Sequence, residues 1–364
     1  GHDLIAITVC DVGQGSTTLD AGEIAAWANS AVAPFFADVS GGAFTVEFAA
    51  HPTPRISGAS GGECLDTATD TTDAPFTNVI AVSEESTGAG FGGPGLIYSN
   101  SDVPVLAAGA PRTTGRGAWV GGGAALINPV TFVHEIGHTI HWPHSSTGNS
   151  NDYDNPVDIM SGRPAPGAAG TELWDTPYWC ELRGSSNTRT PCWVQNTIAF
   201  NRLAAGWMSD QQTGVHWSGD ANYTLRPVGA DGMQAVLVPD LADPRRVLTV
   251  AARPATGRDQ YNLVDGVAVH LIDQVSSNPF DGVSSSRRTA PATTEPDSYE
   301  HVVAVGESKS FHGVTVQVYP ADVGAGFQVR ITGSYRAPSL PGYEPPVVSR
   351  AKTVTPDAVL RRLA

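Results

Sequence analysis

The sequence predicts an α+β chain, a mixed sheet with helices followed by an all-β sandwich. Two observations carry that reading. Up to about residue 213, runs rich in β-branched residues alternate with segments of helical period. Beyond that point, short alternating segments recur between turn signals at 222–226, 234–238, 246–250, 266–272, 302–305, 314–318 and 327–331. About seven such strands indicate a sandwich. The expected division is 1–213 for the mixed domain, 214–335 for the sandwich, and 336–364 for a C-terminal strap or linker rich in proline (Pro338, Pro341, Pro345, Pro346).

Within the first domain, residues 4–10 read as a buried strand. Residues 21–36 read as a helix anchored by Ile24, Trp27, Val32 and Phe35. Residues 44–48 and 78–82 read as further strands, giving a β-α-β-β order. Residues 86–124 are glycine-rich, but no Lys-Ser/Thr pair follows to open a helix, which excludes a phosphate loop. A helix over 196–207, ended by Gly206, closes the domain. Residues 275–300, rich in Ser, Thr and Pro, read as a long exposed loop.

The chemistry concentrates at His134-Glu135-Ile136-Gly137-His138-Thr139-Ile140-His141-Trp142-Pro143-His144. Positions i and i+4 of a helix share a face, so His134 and His138 can present two imidazoles to one ion. Glu135 is turned by about 100° and can act beside the ion rather than on it. That is the pattern of a zinc peptidase, with two histidine ligands and a glutamate base. Val130, Val133, Gly137 and Ile140 give the helix an apolar face, and Pro143 ends it. The turn that follows can bring back His144 as the third protein ligand that zinc catalysis requires. His141 reads better as a neighbour of the site or a surface residue. A downstream glutamate, Glu172 or Glu181, is the rival third ligand.

The spacing H-E-x-x-H-x-x-x-x-x-H resembles that of the metzincin clan of zinc metallopeptidases. The resemblance extends to Asp158-Ile159-Met160-Ser161-Gly162, sixteen residues after His144, where Met160 matches the clan's Met-turn. His144-Ser145, Asp152-Tyr153-Asp154 and the segment Asn-Arg-Leu-Ala-Ala-Gly-Trp at 201–207 look most like the gametolysin and immune-inhibitor-A branches. The chain departs from the clan at two places. His141 stands where glycine is usual, and Ser161-Gly162 follow the methionine where a tyrosine is usual, leaving Tyr153 or Tyr178 as candidates for stabilising an oxyanion.

The resemblance implies a metzincin-like catalytic domain with Zn2+ held by His134, His138 and His144. Met160 would lie beneath them, and Glu135 would serve as general base toward a zinc-activated water. It also implies a sheet edge that pairs with substrate backbone, a role assigned to Gly117, Ala118, Trp119 and Val120. The function expected is a zinc-dependent endopeptidase acting on proteins or peptides. The alternative is a carbohydrate- or cell-surface-binding protein that works through its β domain and carries a narrow or vestigial peptidase.

Charge and composition narrow the partners. The chain has 364 residues and a net charge of −15, which argues against nucleic acid. Calcium is a possible second ion, and Asp152, Asp154 and Asp158 could bind it, although capping turns is the better reading for them. The aromatic cluster Trp174, Tyr178, Trp179 and Trp193 reads as core, with a specificity pocket as the alternative. His216, His270, His301 and His312 lack metal spacing and read as structural or surface residues.

No run of 18 apolar residues predicts a membrane span. No signal peptide is evident, and a chain starting at Gly1 reads as processed. Four cysteines allow three pairings. Cys180 with Cys192 and Cys10 with Cys64 is the favoured one, and an even count in a hydrolase suggests a secreted protein.

Overall fold

A computed structural model describes residues 1–13, 18–72, 75–83, 90–94, 96–98, 104–106, 116–121, 129–140, 142–145, 155–161, 194–243, 245–259, 264–273, 288–293, 299–320 and 326–337. They form two compact units. The first gathers the described residues of Gly1–Pro143 with Val194, and the second gathers the others from His144 onward.

The first unit runs β1 (His2–Asp11), α1 (Ala21–Ala31), α2 (Ala33–Val39), β2 (Thr45–Ser57), α3 (Gly61–Asp70), β3 (Asn78–Ser83), β4 (Gly90–Pro94), β5 (Leu96–Tyr98), β6 (Pro104–Leu106), β7 (Arg116–Val120) and α4 (Pro129–Thr139). Its main sheet has the order β2-β1-β3-β7-β4. The first four strands are parallel neighbours, and β4 runs antiparallel to β7. Side chains alternate across the pleat. Ala6, Cys10, Val79 and Ala81 therefore meet Cys64, Leu65 and Ala68 of α3 on one face. Ile5, Ile7, Val9 and Ile80 point to the other face, all but fully buried. There α1 and α4 touch through Trp27 and Phe132, ring centroids 5.2 Å apart.

Three expectations need correction here. The segment 21–36 is two helices rather than one. Pro34 has no N–H to continue the ladder and its ring would crowd the carbonyl four residues back. The chain breaks at Val32 and restarts with proline in the first turn of α2. The order is also β-α-α-β-α-β, because α3 intervenes before β3. Its start was readable as Ser60-x-x-Glu63. The Ser60 hydroxyl accepts from the Glu63 N–H, and the Glu63 carboxylate accepts from the Ala59 N–H. Finally, β7, with Gly117, Ala118, Trp119 and Val120, is an interior strand, flanked by β3 and β4. The edge is β4, a further strand that the same glycine-rich segment supplies.

Cys10 and Cys64 form a disulfide that ties β1 to α3. Cys180 and Cys192 lie outside the described residues. Trp119 sits over the start of α3 and donates from Nε1 to Ser83 Oγ at 3.0 Å. A Cβ at Gly61 would come within 1.8 Å of that indole nitrogen.

In the second unit a 3-10 turn at Ile159–Ser161 precedes α5 (Ala199–Ala204). The strands follow as β8 (Thr213–Val215), β9 (Asp220–Leu225), β10 (Ala235–Pro239), β11 (Arg246–Arg253), β12 (Gly266–Asp273), β13 (Arg288–Pro291), β14 (Val302–Ala304), β15 (Ser308–Phe311), β16 (Val314–Pro320) and β17 (Phe327–Gly333). One sheet has the order β13-β12-β11-β10-β8, with β14 also on β12, and the other β15-β16-β17-β9. Val236, Leu248, Val250, Val267 and Val269 of the first sheet share one core with Leu225, Val316, Val318, Val329 and Ile331 of the second. That is the layering expected of a sandwich. The opposite face of the larger sheet takes α5, through Phe200, Leu203, Val247, Ala251 and Ile272.

The helix expected over 196–207 is only Ala199–Ala204. Asn196 Oδ1 accepts from the Thr197 N–H, and the Thr197 hydroxyl donates to Asp158, so side chains compete with helical bonding there. Gly206, at φ 74°, ends it as expected. Part of the expected loop 275–300 is strand β13, paired with β12. The strap's residues from 338 onward lie outside the described residues.

Gly61→Ala is expected to destabilise the protein by about 1–3 kcal/mol, because the indole above it must move. Urea unfolding with unchanged slope checks this, and an unchanged midpoint would show that Trp119 yields freely.

Candidate metal centre

The packing of α4 sets the site. Phe132, Val133 and Ile136 are fully buried, and His134, Glu135 and His138 are buried with them. The helix is thus enclosed on nearly all sides, where a single apolar stripe was expected. Val130 and Ile140, two members of that stripe, are only half-buried. One side of α4 lies against β4 and β7. Near its end the Thr139 hydroxyl accepts from Asn78 Nδ2 at 2.9 Å. The Trp142 N–H then reaches back to the Gly137 carbonyl at 2.9 Å, the long bond that closes a helix C-terminus. Trp142 is buried, its ring 6.4 Å from that of Phe36.

This closure orients one of the histidines. The Trp142 carbonyl accepts from His138 Nδ1 at 2.8 Å, which fixes the proton on Nδ1 and leaves the Nε2 lone pair for a metal. That Nε2 faces His134 Nε2 at 3.1 Å, with the rings nearly perpendicular. Two nitrogens bound tetrahedrally to zinc at 2.0–2.1 Å stand about 3.3–3.4 Å apart, close to what is seen. His144 completes the set, as one ligand atom from each of His134, His138 and His144 lies within 4.8 Å of the others. Burial pushes the His144 imidazole down to about 4, so it is neutral near pH 7 and able to donate its lone pair. The three histidines therefore fit a metal ion. Among the described residues no carboxylate-rich group converges in the same way.

Glu135 stands between the two helical histidines in sequence. Burial raises its carboxyl well above the usual carboxylate range. Its Oε2 is buried and takes no hydrogen bond from the described residues. A nearby cation would offset that desolvation and favour the ionised form.

Met160 lies in the buried turn Ile159–Ser161. Asp158 caps this turn, its Oδ1 accepting from the Met160 N–H at 3.2 Å and the Thr197 hydroxyl at 3.0 Å. Desolvation raises its carboxyl to about 6. His141, Asp152, Tyr153, Asp154, Glu172, Trp174, Tyr178, Trp179, Glu181 and Trp193 lie outside the described residues. Of the histidines read as structural or surface, His216, His270 and His301 are buried and His312 is exposed. Sequence reasoning passed over Asn155, whose amide joins Ser145, next to His144, to His270 of β12. Its only local signal was Asn155-Pro156, a turn-forming pair.

Among the described residues no helix is long and apolar enough to cross a membrane. No protein-family model matches the chain, and no curated protein matches it.

The Asp158 carboxyl is raised on folding, so its stabilising contribution is complete below its ordinary value of 3.8 and is lost as pH rises through about 6. Asp158→Asn keeps the accepting oxygen without the buried charge. The variant should therefore gain on the native chain by about 2 kcal/mol between pH 4 and 6. Denaturant melts at both pH values test this, and parallel stability profiles would contradict it.

Proposed function

We propose that the protein is a zinc-dependent endopeptidase of the metzincin type, secreted, acting on protein or peptide substrates. The observation that carries the reading is the convergence of His134, His138 and His144 beside a buried glutamate. Zinc, when bound, supplies Lewis acidity that acidifies water and polarises a carbonyl. Glu135 takes the proton from the attacking water and returns it to the leaving amine. Its buried Oε2 has no competing donor among the described residues, which suits it to that task. Met160 is assigned the floor of the site on the resemblance alone.

The edge strand β4 lies against α4 and has no second strand partner among the described residues. Its backbone is the candidate for pairing with an extended substrate, the role first given to β7. The Cys10–Cys64 disulfide supports an oxidising compartment.

Zinc analysis and casein cleavage test the proposal together. The native chain should carry about one zinc and cleave in a chelator-sensitive way. His144→Ala should lose both properties. Glu135→Ala should keep the metal and lose at least about 100-fold in kcat/KM. Full hydrolysis by Glu135→Ala, or a native chain without zinc, would sink the reading.

A further inference from the structure

The outer face of the larger sheet carries two buried polar residues, Arg253 at the end of β11 and His270 within β12, opposite Thr249. Both are buried, and both engage the turn that contains Met160. Arg253 donates to the carbonyls of Val157 and Thr197 and pairs with Asp259 at 2.9 Å. Val157 packs with Ala268 and Val302 of the same sheet.

Asn155 is the hub. Its Oδ1 accepts from the Val157 N–H at 3.2 Å, which identifies Nδ2 as the donor. Nδ2 donates to His270 Nε2 at 3.0 Å and to Ser145 Oγ at 2.5 Å, using both of its hydrogens. The Asn155 N–H donates to Ser161 Oγ, and that hydroxyl donates to the Ser145 carbonyl. Ser145 is therefore held twice, through its hydroxyl and through its carbonyl. It is bonded directly to His144, the third metal ligand.

For His270 to accept at Nε2, that nitrogen must be unprotonated. Burial, with His301 and Arg253 nearby, holds the imidazole neutral. His301 stands 5.2 Å away, centroid to centroid. The bond thus has a fixed direction, from amide to imidazole.

We infer that the β-rich unit sets the position of the third metal ligand through the chain His270–Asn155–Ser145, with Asn155 and His270 as positioning residues. This rests on the assignment of His144 as a zinc ligand. A ligand on a short loop is mobile unless something rigid holds its backbone, and β12 is an interior strand flanked by β11, β13 and β14. Loss of an outer partner of this kind typically costs 10–100-fold in metal affinity.

The test is zinc affinity of the full-length chain, measured by competition with a chromophoric chelator, together with the visible spectrum of the cobalt(II) form. Asn155→Ala, Ser145→Ala and His270→Leu should each bind zinc about 10–100-fold more weakly, with altered cobalt spectra and near-ultraviolet circular dichroism like that of the native chain. His270→Gln, which retains an acceptor near Nε2, should restore most of the affinity. If one variant fails to fold, the others carry the test. Native-like zinc affinity in folded Asn155→Ala and His270→Leu would overturn the inference while leaving the peptidase reading intact. A native chain that binds no zinc would overturn both.

Discussion

Two imidazole nitrogens held 3.1 Å apart inside a packed helix need either a shared proton or a cation between them. The surroundings of α4 maintain that constraint. Phe132 and Ile136 bury the helix, the Trp142 carbonyl orients His138, and Asn78 ties down the last turn. Since His138 carries its proton on Nδ1, its Nε2 can only accept. Burial also desolvates Glu135 and His144, raising the pKa of one and lowering that of the other. The carboxyl is pushed toward its neutral form and so is the imidazole, leaving both histidine and glutamate sensitive to whatever charge enters between them.

The third histidine depends on a different scaffold. His144 and the described residues after it, Val194 apart, cluster as the β-rich unit, and the turn around Met160 is fastened within that unit by Arg253, His270 and Asn155. The sandwich core is apolar and unremarkable in composition, but the far face of its larger sheet is not. Hydrophobic residues there receive α5, and among them stand a buried imidazole, His270, and, at the end of β11, a buried cation, Arg253. Such groups are expensive to bury, and each is offset by named partners.

Most of what was legible in the sequence lay in short-range patterns. The histidine spacing follows from helix geometry, and three ligand atoms do converge. The strand segments after residue 214 appear close to where alternation put them, because one face of each is buried in a shared core. What was missed depended on contacts distant in sequence. Strand β7 was expected at an edge on the resemblance alone, and nothing nearby in sequence revealed that β4 would pair antiparallel beside it. Residues 196–198 looked helical until Asp158, nearly forty residues earlier, captured the Thr197 hydroxyl. His270 had no metal spacing, and its partner Asn155 lies 115 residues away. Helix α3 was different. Its Ser60-x-x-Glu63 start was local and could have been read.

The disulfide has a bearing on survival as well as on stability. Cys10 and Cys64 join the first strand to the third helix, and the chain between them includes exposed stretches near residues 41–43 and 52–55. A backbone cut anywhere in that interval opens the loop without releasing a fragment. β2 stays hydrogen-bonded to β1, and both ends stay covalently attached to the sheet. For a molecule exposed to proteolysis, a nick there would leave a two-chain protein with its parts still joined. The same nick in a reduced chain would let the pieces drift apart.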